Sequence, residues 1–75
     1  MDYRAYIESN PNIMLGKPVI KGTRITAELI LQRLSEGATI PQLIEAYPSL
    51  KTEDIMAVLA YASDIMANET IIAVA

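Results

Sequence analysis

The stretch Gly37-Ala38-Thr39-Ile40-Pro41-Gln42-Leu43-Ile44-Glu45-Ala46-Tyr47-Pro48-Ser49-Leu50-Lys51-Thr52-Glu53-Asp54 holds a helix stop, a complete short helix and the start of another. Gly37 can take the left-handed backbone that closes a helix before it. Thr39 is an N-cap residue, Pro41 lies in the first turn, and Gln42 occupies the reciprocal position of a capping box. Ile40, Leu43, Ile44 and Tyr47 then repeat at helical spacing until Pro48 ends the run. After Ser49-Leu50, Thr52 opens a further helix, with Glu53 and Asp54 in its first turn where the dipole favours acids.

Working outward, Thr26 caps a helix that precedes Gly37, and Ala27, Ile30, Leu31 and Leu34 share one of its faces. On the other side, Ile55, Val58, Leu59, Ala62, Ile65 and Met66 form the expected buried stripe of the longest helix, which reaches about Asn68. Residues 1–25 lack helical periodicity. The pairs Ile13-Met14 and Val19-Ile20, with Ile25, are separated by Gly16-Lys17-Pro18 and Lys21-Gly22-Thr23, which predicts an extended arm or an irregular β-hairpin. Gly22 is expected to hold a positive φ. The fold class is therefore all-α, a three-helix core over 26–68 after an arm over 1–25, with an apolar tail over 69–75, as one domain. A short second helix, a Pro-containing turn and a longer third helix describe a helix-turn-helix unit, and they equally describe a compact bundle that touches no nucleic acid.

Composition narrows the chemistry. The chain has 75 residues and no cysteine or histidine. Disulfides, thiolate metal sites, His general bases and Ser-His or Cys-His nucleophile pairs are thereby excluded, and no catalytic residue, cofactor or metal ligand is assigned. Glu53 and Asp54 are sequence neighbours that point to different sides of a helix and do not make an acid-base pair. Gly16-Lys17-Pro18 with Gly22-Thr23 matches no phosphate-loop spacing. Tyr47 and Tyr61 sit at helical positions where aromatic rings fill cores. No small-molecule substrate is expected. The first residues lack the apolar run of a signal peptide, and no stretch is long enough for a membrane span, which predicts a soluble cytoplasmic protein without a membrane partner.

Folding a chain of this size removes only about 60% of its unfolded surface. Yet 52% of its residues are hydrophobic. The surplus, above all Ile71, Ile72 and Val74 in the tail, predicts a homodimer interface. The net charge is −3, but Lys17, Lys21 and Arg24 lie in a stretch free of acids between Glu8 and Glu28. With Thr23 and Lys51 they are the candidates for contacting DNA or an acidic protein. Solvated surface charge explains the same distribution with no partner at all.

Pro11-Asn12-Ile13, GKPVIKGTRI from Gly16 to Ile25, the Gly37 break, EAYPSL from Glu45 to Leu50 and LAYA from Leu59 to Ala62 together resemble domain-of-unknown-function family 433, a group of small prokaryotic proteins. The resemblance implies a homeodomain-like or winged-helix-related fold behind an extended arm, usually dimeric. It also implies the role of antitoxin in a type II toxin-antitoxin pair, binding and neutralising a PIN-like ribonuclease toxin and binding DNA as a dimer. The alternative is a stand-alone helix-turn-helix DNA-binding regulator with no toxin. The family has no catalytic set to transfer, so Gly16, Pro18, Gly22, Thr23, Arg24, Tyr47, Pro48 and Tyr61 carry over as motif positions only.

Overall fold

A computed structural model describes residues 1–68. It has three helices, α1 (Ala27–Ser35), α2 (Ile40–Ala46) and α3 (Thr52–Asn68), and a two-stranded antiparallel sheet of β1 (Ile7–Glu8) and β2 (Val19–Ile20). Local chemistry sets the helix ends. Thr26 accepts from the Leu29 N–H at 3.0 Å to start α1. Its end is a Schellman turn, in which Ala38 N–H donates to Arg33 O and Gly37 N–H to Leu34 O. That turn needs φ +98° at Gly37, where an added Cβ would meet open space, so the requirement is backbone conformation and not room.

The capping box is complete at α2. Thr39 Oγ1 accepts from Gln42 N–H, and Gln42 Oε1 accepts from Thr39 N–H at 2.8 Å. At α3 the cap differs from the expectation. Thr52 is the first helical residue, Lys51 precedes it, and Asp54 Oδ2 accepts from the Lys51 N–H at 2.9 Å. Asp54 is 9% exposed. It is a built part of the helix start, unlike its exposed neighbour Glu53.

The first 25 residues form neither a projecting arm nor a hairpin of the expected pairs. Val19 and Ile20 are buried, and β2 pairs with Ile7–Glu8, in the register Ile7 with Ile20 and Glu8 with Val19. Ile13-Met14 is not its partner. The chain between the strands turns through Met14–Gly16, where Met14, Leu15 and Gly16 all have positive φ. β2 is also tied to α1, through a bridge from Val19 to Thr26 and the Ala27 N–H donating to Pro18 O. Burying two branched side chains of β2 against the helices outweighs leaving them in water, at roughly 1.5–3 kcal/mol each.

Ile20, Ala27, Ile30, Leu43, Leu50, Ile55 and Val58 form the core, with Ile25, Tyr47 and Tyr61 packed around it. The stripe expected on α3 is buried only in its first half. Ile55 and Val58 are inside, joined by Ala57, but Leu59, Ile65 and Met66 are exposed. At 1.5 Å per residue the 17 residues of α3 span about 26 Å, against about 14 Å for the nine of α1. Toward the end of α3 the segment around Tyr3 packs on the side of Tyr61 and Asp64, and Leu59, Ile65 and Met66 stay exposed among the described residues. No helix among these residues is long and apolar enough to cross a membrane.

Candidate functional site

The turn after β2 is held from both sides. Ile20 N–H donates to Ile25 O, Thr23 N–H to Ile20 O, and Lys21 N–H to Tyr6 O. The Thr23 hydroxyl donates to Ile20 O at 2.8 Å and accepts from Ile25 N–H at 3.0 Å. Its hydrogen bonds therefore serve the turn. Gly22, at φ +78° as expected, makes the reversal. What this clamp presents to solvent is Lys21 and Arg24, both exposed.

The five sequence candidates separate in space and in availability. Lys17 Nζ is bound to Glu28 Oε1 at 3.0 Å, an exposed pair that neutralises it. Arg24 makes no ion pair among the described residues, where the paired cations are Arg4, Lys17 and Arg33. Lys51, thirty residues from Lys21 in the chain, lines the same cleft. This cleft, of about 330 Å³, is bounded by Tyr6 and Ile20 on the head side and Ser49 and Asp54 on the side of α3. It opens between the clamped turn and the start of α3. The fold thus joins two of the sequence candidates, Lys21 and Lys51, into one basic edge, with Arg24 farther along the same turn. Ile71, Ile72 and Val74 lie outside the described residues.

Two features escaped the sequence reading. Leu15 is 93% exposed and holds φ +59°, a left-handed conformation that costs a branched-chain residue about 1–2 kcal/mol. The only cue was its place before Gly16. The second is the docking of Tyr3 on α3. Its hydroxyl donates to Asp64 Oδ2 at 2.5 Å, and its ring meets that of Tyr61 edge-on, centroids 5.3 Å apart. Arg4 lies over the same ring at 5.6 Å. The hydrogen bond to the Asp64 carboxylate raises the Tyr3 phenol above its ordinary pKa, with partial desolvation and the carboxylate's charge acting in the same direction. Tyr47 and Tyr61 pack against the core, as their helical spacing suggested. Among the described residues no three acidic side chains gather in a way that could hold a metal ion.

The family model described as "Protein of unknown function (DUF433)" matches residues 7–62. The uncharacterized protein y4eO of Sinorhizobium fredii is 34% identical over 59 residues, which make up 79% of this chain and 27% of that protein. A crystal structure of a DUF433 member from Anabaena variabilis superposes with a TM-score of 0.76 at 28% identity, over 81% of this chain and 60% of that one. The chain spans about a quarter of the length of the first relative and three-fifths of the second.

Proposed function

The chain belongs to the protein family of unknown function DUF433, and from that premise we propose that it is a non-catalytic antitoxin that binds and neutralises a PIN-like ribonuclease in the cytoplasm. The observation that carries the reading is the meeting of Lys21 and Lys51 on one cleft, with Arg24 exposed on the same clamped turn as Lys21, in a chain of net charge −3. A PIN-like site gathers carboxylates around a divalent cation. A planar guanidinium engages a carboxylate through two parallel hydrogen bonds, whereas an ammonium offers a point charge. Arg24 is the exposed guanidinium of the clamped turn, which is already ordered before binding, so less entropy is lost on docking.

The experiment is inhibition of the nuclease encoded beside this chain. Arg24→Ala should weaken inhibition by about 2–5 kcal/mol if the guanidinium is desolvated in the cleft, and Lys17→Ala by much less, since Lys17 already has Glu28. Arg24→Lys should fall between them. Melting temperatures measured alongside should not move, because Arg24 has no folded-state ion pair among the described residues. Unchanged inhibition by a stably folded Arg24→Ala protein would sink the reading.

A stand-alone DNA-binding regulator is the second reading, supported by the sequence of seven-residue α2, tight turn and 17-residue α3. In a helix-turn-helix unit, homeodomain-like or winged-helix-related, α3 enters the major groove by its N-terminal end. Lys51 stands at that end, while exposed Glu53 opposes a phosphate approach. DNA binding with a steep salt dependence, lost in Lys21→Ala and Arg24→Ala, together with no binding to a neighbouring gene product, would select it.

A further inference from the structure

Helix α3 has two apolar sides, and the core occupies one. Asp54, Val58 and Tyr61 face inward. On the opposite side of the same helix, Met56, Leu59, Ser63 and Met66 recur at three-four spacing. Met56 is 46% exposed, Leu59 40% and Met66 59%. A helix on the surface of a monomer ordinarily carries its charges there. The charged residues of α3 are Glu53, Asp54 and Asp64, and none of them interrupts this stripe. Three-four spacing of apolar residues is the pattern of a seam between paired helices. Beside the ridge of Leu59 and Met66 runs a groove of about 450 Å³, with Ala60, Ser63, Asp64 and Ala67 along α3 and Met1, Tyr3 and Arg4 on its far wall.

We propose that this face docks on the same face of a second copy of the chain, with the two α3 helices antiparallel. A two-fold interface must be self-complementary, and here an apolar ridge and a groove floored by Ala60, Ser63 and Ala67, with Asp64 at its edge, lie side by side on one surface. The charges then fix the direction. Arg4 stands beside the C-terminal half of α3, and its only ion-pair partner among the described residues is Asp2, at 4.0 Å and exposed. Glu53 stands at the N-terminal end on the same margin of the helix, as the 3.6-residue repeat requires. A two-fold axis perpendicular to the helices brings each Arg4 beside the other copy's Glu53. Parallel pairing would set each charged margin against an uncharged one and align the helix dipoles. The residues of this seam are other than Ile71, Ile72 and Val74, which lie outside the described residues.

Sedimentation equilibrium of the full chain should give a dimer at micromolar concentration. Leu59→Lys and Met66→Lys, at exposed positions, should keep the melting curve cooperative and raise the dimer Kd roughly tenfold or more. Arg4→Glu should weaken association, and Glu53→Arg in the same chain should restore it. Because the natural chain has no cysteine, direction can be read by oxidative cross-linking. An equimolar mixture of Met56→Cys and Met66→Cys chains should cross-link, and either alone should not, since the two positions lie about 15 Å apart along the helix. A chain that stays monomeric at its highest soluble concentration overturns the proposal. So does a dimer indifferent to both lysine substitutions and lost instead in Ile72→Lys. Self-cross-linking of Met56→Cys alone overturns the antiparallel order.

Discussion

Replacing Asp54 by Ala should destabilise this domain far more than the same change at Glu53, although the two acids are adjacent and both lie in the first turn of α3. Asp54 Oδ2 accepts the Lys51 N–H at 2.9 Å, with the residue 9% exposed. A hydrogen bond to a charged acceptor contributes about 1.5–3 kcal/mol, and an acid at a helix N-terminus about 0.3–1 kcal/mol more. These terms overlap, so the expected loss is about 2–3 kcal/mol. Domains of this length are stable by roughly 4–11 kcal/mol in total, so the change removes a large fraction. Within one chain Glu53 is exposed and, among the described residues, has only the dipole interaction, which predicts a loss of about 0.3–1 kcal/mol for the monomer. Urea titration followed by far-ultraviolet circular dichroism measures both. With a slope near 1 kcal/mol per molar, typical of the smallest domains, Asp54→Ala should lower the midpoint by about 2–3 M at unchanged slope. Asp54→Asn keeps an acceptor oxygen without the charge and should lose about half as much. Equal midpoints for Asp54→Ala and Glu53→Ala would refute the claim that the carboxylate is part of the helix start.

Leu15→Asn should stabilise the chain by about 1 kcal/mol, raising Tm by roughly 4–8 °C, because Asn tolerates the left-handed backbone and almost no packing is lost from a side chain 93% exposed. A Tm that stays or falls would show that the turn carries no such strain. The Tyr3 phenol has its pKa raised in the folded state by donating to Asp64, so its contribution is fully present below the unfolded value near 10 and is lost as pH rises through the higher folded value. Thermal unfolding of the natural chain and of Tyr3→Phe, compared between about pH 8 and 12, should therefore differ at the lower end and converge at the upper end. Parallel curves over that range would remove the hydrogen bond from the account.

Much of the chain's local structure was legible in its residues. Thr26, Gly37 and the Thr39/Gln42 pair mark helix ends through hydrogen bonds and φ angles that involve neighbours only three or four positions away. The clamped turn at Gly22 is of the same kind. The candidate site was half legible. Its residue types could be named, but the cleft that joins Lys21 to Lys51 exists because β2 is pulled onto the core beside the start of α3.

The identity of β2's partner was not readable, since Ile7–Glu8 is too short to show periodicity and pairs across an intervening turn of strained, non-repetitive backbone. Helix α3 makes the limit plainest. Its apolar residues lie on both sides, so periodicity established that a helix forms and left open which side the core would take and for how many turns. By itself the sequence determined the three helices, the caps of α1 and α2 and the absence of histidine and cysteine chemistry, because those depend on near neighbours or on composition. Only the tertiary structure decided that Leu59 and Met66 face outward while Asp54 is buried. Burial is a property of what lies alongside, and α1, at little more than half the length of α3, leaves the far end of that helix to the short segment around Tyr3, which packs on one side of it.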